Sequence, residues 1–117
     1  MKLPRRQSIN ERQVFQNVRQ QGTSRPGRFL VLGTLEDPSA QPFGLGLITT
    51  KKLGNAVTRN QIRRYLRAVV QKHGHRIKPG RQIVVIGRWK AGNATFHEIE
   101  SDFLKTARKL GVLEEER

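Results

Sequence analysis

The chain has 117 residues, 35% hydrophobic and 6% aromatic, which is enough for one compact domain with its own core and too few for two. It has no cysteine, which excludes disulfides, thiolate metal sites and cysteine nucleophiles, and no apolar run near the roughly 18 residues of a membrane span. Its 23 Lys and Arg against 9 Asp and Glu give a formal charge of +14, far beyond what solubility requires, and point to a polyanionic partner, nucleic acid first.

A first helix is predicted over residues 9 to 20. Ser8-Ile9-Asn10-Glu11 has the form of a capping box, Val14, Phe15 and Val18 follow at helical spacing, and Gly22 is a stop. Phe29-Leu30-Val31-Leu32 is an apolar run of strand length, ended by the turn signal Glu36-Asp37-Pro38-Ser39. Phe43-Gly44-Leu45-Gly46-Leu47-Ile48-Thr49 then alternates large and absent side chains, and the two runs together suggest an antiparallel pair with one buried face.

From about Ala56 to Lys72 the period turns helical, with Ile62, Leu66, Val69 and Val70 on one stripe and Gly74 as the stop. After the Pro79-Gly80 turn, Gln82-Ile83-Val84-Val85-Ile86-Gly87 reads as a short strand buried on both faces. Thr95-Phe96-His97-Glu98 is a second capping box, opening a helix that turns Phe96, Ile99, Phe103, Ala107 and Leu110 inward, with Gly111 after it. The order helix, strand, strand, helix, strand, helix predicts an α+β sandwich, a small, mainly antiparallel sheet covered by helices, in a single domain over 1–117. Residues 1–7 and 112–117 are expected to be loosely ordered ends. Strand order is left open, and a parallel crossover is right-handed by default.

The charge is unevenly placed. Between Asp37 and Glu98 lie 60 residues with 12 Lys or Arg and no carboxylate, while acids gather late at Glu98, Glu100, Asp102 and Glu114-Glu115-Glu116. On a helical wheel at about 100° per residue, Arg59, Asn60, Arg63, Arg64 and Arg67 fall within an arc of about 140°, opposite Ile62, Tyr65, Leu66 and Val69. The like-charged pairs Arg59–Arg63 and Arg63–Arg67 cost an isolated helix a few tenths of a kcal/mol each. A row of guanidinium forks kept against that cost suits phosphates and stacked bases. Asn60, inside the row, can reach a base edge, a 2′-hydroxyl or a metal-bound water. Just upstream, Lys51-Lys52-Leu53-Gly54-Asn55 meets the start of the helix, where backbone N–H groups already favour an anion. Six phosphate contacts from residues 51–67 would give a salt slope of about −4 on single-stranded RNA.

The segment Lys52-Leu53-Gly54-Asn55-Ala56-Val57-Thr58-Arg59-Asn60-Gln61-Ile62-Arg63-Arg64-Tyr65-Leu66-Arg67 resembles the signature of bacterial ribonuclease P proteins, departing at Gln61, where the family usually has Arg, and conservatively at Arg63. Val14 to Gly22 is similar to the family's first helix and Ile83 to Arg88 to its last strand. The resemblance implies a left-handed βαβ crossover and a basic helix lying on the catalytic RNA through Lys51, Lys52, Asn55, Arg59, Asn60, Arg63, Arg64 and Arg67. It also implies a cleft for the 5′ leader of precursor tRNA, with Phe15, Arg19, Phe29 and Arg88 as its expected residues. In the family two aromatics of the first helix line that cleft, and here Phe15 matches one while Arg19 stands at the other. Cleavage is then the work of the RNA subunit with Mg²⁺, in the cytoplasm, with no catalytic residue in the protein.

Each of these residues also has a plainer reading. Phe15, Phe29 and Phe43 fit a core equally well. His73, His75 and His97 have no ligand-like spacing, and no acid-base constellation or phosphate-loop glycine pattern is present. A ribosomal or other structural RNA-binding protein remains the alternative on composition alone.

Overall fold

The computed structural model describes residues 11–114. Three helices, α1 (Glu11–Gln21), α2 (Ala56–His73) and α3 (Phe96–Leu110), alternate with four strands, β1 (Thr23–Pro26), β2 (Leu30–Glu36), β3 (Gly44–Ile48) and β4 (Arg81–Gly87). Short 3-10 turns at Lys51–Leu53, Gly74–Arg76 and Trp89–Asn93 join them. The predicted order is present, with β1 added. That strand is exposed along its whole length, so no hydrophobic alternation announces it. Pro26 is tolerated there because a sheet edge needs no further N–H.

The strand order is β1-β2-β4-β3, with β2 antiparallel to β1 and β4, and β3 parallel to β4. The expected hairpin of β2 with β3 is therefore corrected: β4 lies between them. Its run Ile83-Val84-Val85-Ile86 is apolar on both faces because α2 and α3 cover one side of the sheet and α1 the other. The segment β3–α2–β4 is a parallel crossover, so α2 must return across one face of the sheet.

That face carries the main core. Leu30, Leu32, Leu45, Leu47, Ile83 and Val85 meet Ile62, Leu66, Val69 and Val70 of α2 and Ile99, Phe103 and Ala107 of α3. On the opposite face, Val18 and Phe15 of α1 pack on Val84, Ile86, Leu35 and Ile48. The result is three layers, with α1 alone on one side of the sheet.

The third helix begins as predicted: Thr95 Oγ1 accepts from the Glu98 N–H at 3.1 Å, and Glu98 Oε1 accepts from the Thr95 N–H at 3.0 Å. Its Asp102 carboxylate accepts from the backbone N–H groups of Arg28, Phe29 and Leu30 at 2.9, 2.8 and 3.2 Å, tying α3 to the start of β2. Beyond α3 the chain stays packed further than expected, since Val112 and Leu113 are buried and Leu113 bridges to Ile77. Residues 8–10 of the first capping box, the 1–7 end and residues 115–117 lie outside the described residues.

Candidate nucleic-acid interface

The basic helix is started by Asn55, whose side-chain oxygen accepts from the Thr58 N–H at 2.9 Å. Asn55 was expected to touch RNA. Its carbonyl is spent on the cap, and its main role in the fold is to set where α2 begins. With Ile62, Leu66, Val69 and Val70 buried, the arginines divide into two groups. Asn60 and Arg64 are fully exposed, while Arg59, Arg63 and Arg67 are half-buried along the flank of the helix. Arg63 is the most engaged, its Nη1 donating to the Leu47 carbonyl of edge strand β3 at 2.8 Å. The row thus runs along one side of the exposed face, next to the β3 edge, with Val57 and Gln61 completing the surface.

The described late acids are engaged elsewhere. Glu100 pairs with Lys72 Nζ at 2.8 Å and His73 Nε2 at 3.0 Å, at the far end of α2. Hydrogen bonds from Lys72 and then His73 hold its carboxyl below the usual range. Asp102 is occupied by backbone N–H groups and Glu98 by the α3 cap. Arg59, Arg64 and Arg67 therefore keep their charge available, and among the described residues no carboxylate pairs with them.

Lys51 and Lys52 are exposed on the turn before α2, anchored by buried Leu53. That turn packs on Trp89–Asn93. The approach is so close that a Cβ at Gly92 would stand 2.7 Å from the Leu53 carbonyl oxygen, a distance only glycine permits without a shift. The two lysines thereby stand at the N-terminal end of the arginine helix, where the first-turn N–H groups reinforce their field.

The other surface is a groove of about 270 Å³ between α1 and the sheet, lined chiefly by Phe15, Val18, Arg19, Val31, Val84 and Ile86. Phe15 is half-buried in its wall and Arg19 exposed at its rim. A Cβ on Gly33 would fall 2.6 Å from Val18 Cγ1, so α1 can lie this close only over a glycine. The remaining two expected cleft residues are corrected. Phe29 is buried in the main core on the opposite face, under the Arg28 guanidinium at 5.1 Å from its ring centre. Arg88 Nη1 donates to the Gly27 carbonyl at 2.7 Å and holds the link between β1 and β2. Sequence reasoning missed Val31, Val84 and Ile86. Strand alternation puts them on the face opposite Leu32 and Val85, but which face held a groove depended on where α1 docks.

Among the described residues no three His, Cys, Asp or Glu side chains gather as metal ligands. No described helix is long and apolar enough to cross a membrane.

The chain matches the family model described as Ribonuclease P over residues 3–111. It is 36% identical over 111 residues to the ribonuclease P protein component of Geobacillus sp. (strain WCH70), covering 95% of this chain and 96% of that one. With the protein component of Bacillus pumilus the identity is 33% over 114 residues, covering 97% and 96%. Among solved structures, the RNase P protein of Staphylococcus aureus superposes with a TM-score of 0.83 at 31% identity, over 92% of this chain and 97% of that chain. The RNase P protein from Thermotoga maritima shares the fold, with a TM-score of 0.76 at 24% identity over 86% and 96%. An arginine-rich helix on this α+β frame, matched to these relatives over nearly its full length, places the chain in the ribonuclease P protein family.

Proposed function

We propose that this chain, as the protein subunit of ribonuclease P in tRNA 5′-end processing, seats its catalytic RNA on α2 and takes the 5′ leader of precursor tRNA into the groove under α1. The observation that carries this reading is the set Arg59, Arg64 and Arg67, fixed on a packed helix while Glu98, Glu100 and Asp102 are engaged elsewhere. Among the described residues no carboxylate pairs with these three, and an RNA backbone supplies the counter-charge.

The groove suits a single strand: Phe15 offers a stacking face and Arg19 a cation at the rim. Val31, Val84 and Ile86 give it an apolar floor, which favours bases over phosphates at depth. In this reading the RNA subunit with Mg²⁺ performs phosphodiester hydrolysis, and the protein binds, orients and screens charge so that substrate and metal approach the RNA. Its setting is the cytoplasm. Adding the purified protein to a bacterial ribonuclease P RNA at low Mg²⁺ should raise cleavage of precursor tRNA. No gain would refute the reading and leave a structural, ribosomal-type role.

A further inference from the structure

Among the described residues two large hydrophobics stand out in solvent, Val57 at 77% and Trp89 at 64% exposure. Both belong to the junction where the Trp89–Asn93 turn meets α2, since Val57 lines a cleft of about 360 Å³ with Gly92 and Asn93 of that turn. Trp89 is the chain's only tryptophan. A side chain of that size is ordinarily buried to a large extent, so an open indole ring on a rigid turn calls for an occupant.

Its surroundings define that occupant. Lys90 Nζ lies over the indole ring at 5.6 Å from the centre, and the Lys51–Leu53 turn, with two exposed lysines, packs against the same segment. The charges carried by these two turns are cations, and the patch adjoins the basic end of α2. A flat aromatic ring with one lysine over it and two more on the adjoining turn matches an unpaired nucleotide, whose base stacks on the indole while its phosphate meets a lysine. An apolar protein partner would bury these lysines without counter-charge, at a cost. The turn itself is held firmly: Arg88 is fixed to Gly27 and Phe29 carbonyls, Ala91 is buried, and Gly92 abuts Leu53. The ring is therefore presented on a stiff support.

We propose that Trp89 is a stacking platform for one unpaired nucleotide, with Lys90 and the Lys51–Lys52 pair holding the adjoining phosphate. This rests on the RNA-binding reading above. The nucleotide comes from the ribonuclease P RNA or from precursor tRNA, and the two are separable.

Because Trp89 is the sole tryptophan, its fluorescence reports the site directly. Titrating the full chain with ribonuclease P RNA alone, and the holoenzyme with precursor tRNA, should quench the emission in one of the two steps, and that step names the source. Trp89→Ala should weaken the quenched step about 5- to 150-fold with an unchanged salt slope, and Trp89→Phe should restore most of the loss. Lys90→Ala should lower the salt slope by about 0.7 to 0.9. Normal complex formation with unquenched emission, and with Trp89→Ala binding like the parent, would overturn this proposal and leave the RNA-binding reading intact. Failure of either RNA to bind would overturn both. A fluorescence change that follows protein concentration in the absence of RNA would assign the ring to self-association and refute stacking.

Discussion

Arg63 and Arg64 are sequence neighbours in the same basic row, yet their replacement should have different consequences. Arg63 is half-buried and donates to the Leu47 carbonyl at 2.8 Å, whereas Arg64 is exposed and makes no hydrogen bond among the described residues. A charge-assisted hydrogen bond contributes about 1.5–3 kcal/mol when fully shielded, and partial exposure of Arg63 reduces this to about 1 kcal/mol. With a urea m-value of about 1.5 kcal/mol/M for a chain of this size, Arg63→Ala should lower the unfolding midpoint by about 0.7 M. Arg64→Ala should stay within about 0.5 kcal/mol of the parent, a shift under about 0.3 M. RNA binding should reverse the contrast. Losing Arg64 removes a free cation and should cost about 1–2 kcal/mol, roughly 5- to 30-fold in filter-binding affinity, with the salt slope falling by about 0.7 to 0.9. Urea unfolding and filter binding across a salt series measure the two quantities on the same variants. Equal destabilisation by both substitutions, or Arg64→Ala with parental affinity and slope, would refute the division of the row into a structural and a free part.

Asp102→Ala strands the N–H groups of Arg28, Phe29 and Leu30 and should destabilise the fold by about 2–4 kcal/mol in chemical denaturation. Phe15→Ala should leave binding to the ribonuclease P RNA unchanged and reduce the affinity ratio of precursor over mature tRNA, because the groove it lines would hold the leader that only the precursor carries; an unchanged ratio assigns Phe15 to packing alone. Glu100, held by Lys72 and His73, titrates below its ordinary 4.5 in the folded state. A carboxyl depressed by folding contributes stability that is complete above the unfolded value and is lost as pH falls through the folded one. Glu100→Gln should therefore be less stable than the parent at neutral pH, and the gap should close as pH drops below about 4.5, read from denaturation midpoints across an acid series.

What could be read before any fold was known depends on groups close together along the chain. The Thr95–Glu98 capping box, the apolar stripe Ile62, Leu66, Val69 and Val70, the arginine arc and the turn at Asp37 to Ser39 each span a few residues. Within that range backbone geometry dictates which side chains meet, and periodicity suffices. The helix borders and the basic face were legible for this reason, and the motif around Arg59 to Arg67 was long enough to indicate the family.

Tertiary structure decided what depends on residues far apart. The two apolar faces of β4 announce a strand covered on both sides, but its place in the sheet is settled by pairings such as Val31 with Ile86 and Leu47 with Val85. Strand β1 is too polar to signal itself and exists because β2 offers it an edge. Phe29 looked like a cleft aromatic and Arg88 like a free cation until the sheet turned one inward and tied the other to Gly27, 61 residues away. Asp102 reaches Arg28 across 74 residues, and Arg63 finds Leu47 across 16. Local sequence carries the propensity of a side chain for a face, whereas a partner's identity depends on how separate elements dock, a free-energy balance distributed over the whole core.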